Sequence, residues 1–253
     1  MITYKDVENK VMPPEKKISA KNDILAYYVG RKISYLMTIP LLYTSITPNT
    51  VTWISVLMLL VGFVLFCLVS NIENLIYGWL FFLLWNLLDG VDGNIARYKS
   101  WFSKLGEAYD AMGGYAAIAL IYLATGIAAS HFPGLYWQKL GINNEWLIIL
   151  GALSSLFGLF PRLMLHKIAT SLHNFDLIKD LKGNGKIGVF RLIAINISSI
   201  TGGVMLLLLF AVIYRFLDVF TVFYCILNAL KMILALHILL KKVEKNENIS
   251  VKQ

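Results

Sequence analysis

The strongest constraint on this chain is a series of unbroken apolar runs, each close to the length of a membrane crossing. About twenty mostly apolar helical residues span a hydrocarbon core. Six segments qualify: Thr50–Ser70, Leu75–Ile95, Gly106–Ser130, Glu145–Leu165, Val189–Tyr214 and Phe216–Leu240. Their apolar residues are continuous and not striped, the pattern of helices that need no aqueous face. Only 15% of the 253 residues are charged, against roughly 25% in soluble domains. The expected class is an all-α integral membrane protein, with six transmembrane helices preceded by an amphipathic surface helix. Nothing reads as a linker between two cores, so residues 1–253 are expected to form a single membrane domain. Within it, 1–49 is the arm and surface helix, 50–241 the six-helix bundle and 242–253 the tail.

The surface helix is expected over Asp23–Tyr43, where Leu25, Tyr27, Tyr28, Ile33, Leu36 and Met37 mix with Lys21, Arg31 and Lys32. Such a helix lies in the interface plane, and Pro40 is expected to break it. Basic residues orient the bundle. With the N-terminus in the cytoplasm and six alternating spans, 20 of the 23 Lys and Arg fall in inside segments, and only Lys139 and Arg215 fall in outside loops. Shifting the parity by one reverses that bias, so both termini are expected in the cytoplasm. The net charge of +8 is therefore a matter of topology and membrane lipids, and no nucleic-acid partner is expected. Cys67 and Cys225 lie in apolar runs, where cysteine acts as a small hydrophobe, and neither a disulfide nor a metal site is expected from them. The polar N-terminus, with Pro13 and Pro14, does not read as a cleaved signal sequence.

Charges inside spans are costly and mark function by default. The second run ends in Asp89-Gly-Val-Asp92-Gly93-Asn-Ile-Ala96-Arg97 and the third begins Gly106-Glu-Ala-Tyr-Asp110. At about 100° per residue, positions 89, 92, 93, 96 and 97 share one helix face, and 106, 110, 113 and 114 share another. Three carboxylates thus converge at the cytoplasmic end of one inter-span hairpin. An oxygen-only cluster of this kind suits a hard cation, Mg²⁺ or Mn²⁺. Without one the acids repel each other. Gly93 and Ala96 let a ligand approach the backbone, and Arg97 suits a phosphate oxygen. An isolated Asp-x-x-Asp is usually a solvated helix end, and spaced small residues often serve packing alone. Their combination in one hairpin points to a site.

The run Asp89-x2-Asp92-Gly93-x2-Ala96-Arg97-x8-Gly106-x3-Asp110 resembles the signature of the CDP-alcohol phosphotransferases, and Thr47-Pro48-Asn49-Thr50-Val51-Thr52 is similar to that family's approach to its first span. The resemblance implies a fold of six membrane helices after a surface helix. It implies that Asp89, Asp92 and Asp110 ligate divalent metal, and that Gly93, Ala96 and Arg97 border the cytidine diphosphate, with Asn49, Thr52, Asp92 and Gly106 beside them. It also implies a CDP- or CMP-linked donor, a lipid substrate and a homodimer.

One departure stands out. The family places a fourth aspartate four residues after the third, as metal ligand and proposed base, and here that position is Gly114. Three explanations compete: the acceptor is already ionised or supplies its own base, Glu107 substitutes, or the chain binds nucleotide without turning it over. The inside loop between spans four and five carries Arg162, Lys186 and Arg191, read either as docking points for an acceptor or phosphate or as contacts to anionic headgroups. Gly183-x-Gly185-Lys186 lacks P-loop spacing and reads as a turn. His131 and His237 form no ligand pattern, and Lys231 either snorkels or pairs with an interior carboxylate. The expected activity is metal-dependent transfer of a phospho-group to an alcohol or anionic acceptor with release of CMP. A silent nucleotide-binding membrane protein and a transporter are the alternatives.

Overall fold

In the computed structural model of the chain, residues 1–171 and 188–250 are described. Helices are the regular structure of the described residues, with no strand among them. Two short helices, α1 (Tyr4–Val11) and α2 (Pro14–Ala20), lead through a π-helical turn at Ala26–Gly30 into α3 (Arg31–Leu42). Then follow α4 (Pro48–Cys67), α5 (Ile72–Lys99), α6 (Lys104–His131), the short α7 (Leu135–Leu140) and α8 (Glu145–Ser171). After the undescribed segment come α9 (Val189–Ser198), a π turn at Ile200–Val204, α10 (Met205–Ile213) and α11 (Leu217–Ser250). Five helices are long and apolar enough to cross a membrane, and α9 with the segment Ile200–Ile213, bent by 57°, makes a sixth when the pair is taken as one broken span. The all-α, multi-span class expected from the runs is the class observed.

Three details differ from the sequence expectation. Pro40 does not break α3, which runs to Leu42. The proline sits in the last turn, where its missing N–H costs a single bond and where Tyr43 N–H still reaches the Pro40 carbonyl at 3.3 Å. The fifth span is not continuous. Ser199 is extended at φ −73°, ψ 113°, and the helix resumes only through the π turn that carries Gly202 and Gly203. Beyond the sixth span, α11 continues as helix to Ser250, where a tail was expected.

The break in the fifth span is held by the N-terminal segment. Asn196 accepts the Ile24 N–H at 2.8 Å and donates to the Asn22 carbonyl at 2.8 Å, while the Ser199 hydroxyl donates to Asp23. Asn86 of α5 donates to the Thr201 carbonyl at 3.0 Å, and Trp79 Nε1 donates to the Met205 carbonyl at 2.8 Å. Side chains thus satisfy the backbone groups that a broken helix frees, as a broken span in an apolar environment requires.

Close helix approaches set the frame. In the α4–α5 hairpin, Gly62 lies under the Phe82 ring and Gly78 under the Phe66 ring, so each small residue accepts the other helix's aromatic. Between α6 and α8 the backbones themselves touch: a Cβ on Gly126 would stand 2.5 Å from the Leu147 carbonyl oxygen and 2.9 Å from the Gly151 Cα. Asn228 of α11 donates to Ser154 Oγ at 3.0 Å and ties that helix to α8. A separate apolar cluster of Val7, Val11, Tyr35, Val51, Val91 and Ile95 seats α1 and α3 against α4 and α5.

The Gly126 contact is with backbone, which cannot swing aside. Gly126→Ala should therefore destabilise the purified protein by about 1–3 kcal/mol, the usual cost of overpacking. The control Gly114→Ala has nothing within 4 Å of the new Cβ and should not destabilise. Thermal unfolding in detergent measures both, and equal melting temperatures for the two variants would contradict the contact.

Candidate active site

The site is built on the α5–α6 turn. Ser100 adopts a left-handed conformation (φ 55°) that ends α5, and the Trp101 N–H closes back on the Ala96 carbonyl at 2.9 Å. Ser103 then caps α6 by accepting the Gly106 N–H at 2.9 Å. Three residues of loop (101–103) separate the two halves of the acidic motif, and Lys99 lies over the Trp101 ring at 4.6 Å. Because α5 extends to Lys99, positions 89–97 are one continuous helix and present their acids along one face.

Asp92 is 4% exposed and accepts a hydrogen bond from Thr52 Oγ1 of α4 at 2.5 Å. The Asp89 Oδ1 atom is buried and has no hydrogen-bond partner. From α6, Gly113 faces this carboxylate, since a Cβ there would lie 3.9 Å from Asp89 Oδ1. The three carboxylates lie close enough to repel one another. Arg97 folds back over Gly93, whose Cβ would stand 3.0 Å from Arg97 Nη2, so a larger residue would displace the guanidinium. Gly106 plays a similar part, letting Asn49 and Ser103 approach to 3.2 and 3.1 Å of where its Cβ would be.

A cavity of about 170 Å³ opens here, and Asn49, Thr52, Asp92, Gly93, Ala96, Arg97 and Gly106 all line it, joined by Glu107 and Asp110. These are the residues expected to border the nucleotide, drawn from three different helices. Trp101, Phe102 and Ser103 complete the wall. Sequence reasoning passed over them because a loop between two motif halves carries no periodic signal. A second cavity of about 200 Å³ meets the first at Gly93, Arg97 and Asp110 and is bordered by Asp89, Asn86 and Arg31. The isolated polar residues Asn86 and Asn94 in an apolar run were the available hint to this side.

Other expected residues fall elsewhere. Arg162 and Arg191 are exposed on α8 and α9, and neither lines either cavity. Arg162 instead lies within electrostatic reach of Tyr115 and Lys231. Lys186 lies outside the described residues. Glu107 is in the cavity wall, one turn before Asp110. Gly114 faces open space, with nothing within 4 Å of where its Cβ would be.

Among the described residues no three His, Cys, Asp or Glu side chains are gathered tightly enough to hold an ion as they stand. The donor chemistry nevertheless fits a hard cation. A buried carboxylate oxygen without a partner, facing two further carboxylates, is the kind of group that such a cation satisfies.

Fold and site together define a multi-span helical protein with an acidic pocket between spans, bordered by an arginine and by small residues. A model of the CDP-alcohol phosphatidyltransferase family matches residues 45–225, most of the chain and all of the motif, and the chain belongs to that family. The family is one of transferases of phospholipid synthesis that use CDP-alcohol donors and generally depend on divalent metal. No curated protein matches the chain.

The Thr52–Asp92 bond crosses from α4 to α5 and orients a motif carboxylate. A hydrogen bond to a charged group contributes about 1.5–3 kcal/mol, so Thr52→Val should weaken divalent-dependent CDP binding by about tenfold or more. Thr52→Ser keeps the hydroxyl and should stay within about threefold of the parent by the same measure. Calorimetric titration with CDP decides, and equal affinities for Val and Ser would remove the bond from the site.

Proposed function

We propose that the chain transfers a phospho-group from a CDP- or CMP-linked donor to an alcohol or anionic acceptor and releases CMP. The observation that carries this reading is that the seven residues expected to contact nucleotide border one cavity together with Asp110. Asp89, Asp92 and Asp110 are the proposed metal ligands and Arg97 the proposed phosphate contact. Gly93, Ala96 and Gly106 let the nucleotide approach the helix backbones, and Asn49 and Thr52 flank it.

The reaction is in-line substitution at phosphorus. The acceptor oxygen forms the new P–O bond as the bond to the bridging oxygen breaks, and CMP leaves with the electron pair. A bound Mg²⁺ or Mn²⁺ would supply Lewis-acid stabilisation of the charge that develops on the leaving phosphate. Arg97 adds a fixed positive charge beside the same oxygens, and the rigid α5–α6 turn holds the carboxylates in place, so positioning and electrostatics carry the rate. The acceptor proton has no carboxylate waiting at position 114. It goes to a basic group on the acceptor itself, or to Glu107 in the cavity wall. A second reading, nucleotide binding without turnover, rests on the same missing carboxylate.

CMP release from a panel of CDP-linked donors, with membrane lipid and Mg²⁺ or Mn²⁺, tests the proposal. Each of Asp89→Asn, Asp92→Asn and Asp110→Asn should cost about a hundredfold or more. Full activity in any two of them would overturn the assignment. Gly114→Asp has room for its side chain, yet turnover should not rise, because the new charge repels an ionised acceptor. A gain of about tenfold or more would mark the glycine as a lost base and favour the silent reading for the parent.

The proposed orientation puts both termini and the active site on the cytoplasmic side, supported by the distribution of Lys and Arg. A cysteine introduced as Lys5→Cys should react with an impermeant maleimide only after the cells are opened. Labelling in intact cells would reverse the topology.

A further inference from the structure

The second cavity at the aspartates continues outward. Its wall residues Ala26, Arg31, Arg97 and Thr201 also border a space of about 540 Å³ between the N-terminal helices and α9. The two form a vestibule that reaches Asp89 and Asp110 from a side other than the nucleotide cavity, and the break in the fifth span is what opens it. Thr201 stands in the π turn that follows the break, and Asn196 and Ser199 pin that turn to residues 22–24.

The chemistry of this vestibule is specific. Arg31 and Arg97 both face it and are close enough to repel each other. Neither has a carboxylate within ion-pair distance: among the described residues the one ion pair is Lys17–Glu8, at 2.8 Å. Arg31 lies beside the Tyr35 hydroxyl, a neutral group that leaves its charge uncompensated. Arg97 senses Asp92 and Asp110 only at longer range. Two like charges sharing a cavity are favourable only when an anion sits between them. The outer walls are mixed, with Lys16, Ser19, Asn22 and Asp23 set among Val11, Met12 and Ile195. An acyl chain laid there would strip water from those groups without replacing it.

We propose that Arg31, facing Arg97 across this vestibule, docks the phosphate-type oxyanion of a small water-soluble acceptor, which places the lipid on the nucleotide-linked donor. The proposal rests on the phosphotransfer reading above and names its acceptor class. It also accounts for how the acceptor meets the donor phosphorus. Gly93, Arg97 and Asp110 are common to both cavities, so the two substrates approach along one boundary.

The test uses the full chain in nanodiscs with Mg²⁺ and saturating CDP, which fills the nucleotide's own phosphate positions, and titrates inorganic phosphate by calorimetry. The parent should bind phosphate saturably. Arg31→Gln should bind it about tenfold or more weakly, the loss expected of a charge-assisted bond, and Arg31→Lys should fall between. CDP affinity should stay within about twofold in both variants, which also reports that they are folded. Phosphate binding that is absent, or indifferent to Arg31→Gln, overturns the acceptor site while CDP binding leaves the phosphotransfer reading standing. Failure of the parent to bind CDP overturns both. A second arm compares nanodiscs with and without dioleoyl phosphatidic acid. Unchanged phosphate binding supports a soluble acceptor. Displacement of phosphate by the lipid overturns that assignment in favour of a lipid headgroup.

Discussion

The structure turns on the cost of putting three carboxylates at the meeting point of apolar helices. A carboxylate removed from water needs hydrogen bonds, a counter-charge or a metal, and the helices around buried Asp92 and half-buried Asp89, with exposed Asp110 beside them, are arranged around that need. Thr52 satisfies Asp92 from a neighbouring span. Asp89 Oδ1 is left without a protein partner. Arg97 is folded over Gly93 beside the acids but makes no ion pair with them. The arrangement is incomplete by itself, which is what a binding site for a cation and a phosphate requires and what a purely structural cluster would avoid.

Small residues and caps make that arrangement possible. Gly62 and Gly78 let α4 and α5 pack closely at one end of their hairpin, Thr52 bonds Asp92 toward the other, and Gly106 brings the first turn of α6 up to Asn49. Left-handed Ser100 and the Ser103 cap turn the chain in a few residues, so that Asp110 returns to the level of the first two acids. Without that tight turn the same residue types would occupy separate helix ends and act as ordinary solvated termini. The broken fifth span belongs to the same design. Its freed carbonyls accept from Asn86, Trp79 and Tyr224, the Asn196 and Ser199 side chains tie the break to the N-terminal segment, and polar backbone is tolerated there because it lines a cavity.

Gly114 is where the chain departs from its family. The structure leaves open space at that position, so the missing carboxylate is not excluded by crowding. With the proposed anionic acceptor the glycine is understood through charge: a site that must draw in an anion works against itself if it gains another acid. Glu107, about two turns nearer the α6 N-terminus, lies in the cavity wall.

Much of this protein was legible in its residues. The length and continuity of the apolar runs determined an all-helical membrane architecture, because a span is a local property of about twenty residues and needs no tertiary information. The acidic motif was equally legible, since helical periodicity alone places positions 89, 92, 93, 96 and 97 on one face. What only the tertiary structure decided depends on contacts distant in sequence. The chain bends at Ser199 because Asp23 and Asn22 lie opposite it, and no pattern within Val189–Tyr214 announces partners more than 170 residues away. Arg31 reads as one charge on an amphipathic surface helix until Ser34 and Thr38 dock on Asn94 and turn it toward Arg97. Arg162 and Arg191 show the converse: their place near span ends suggested the site, but helix rotation is set by packing, and it leaves both outside the cavities at the aspartates.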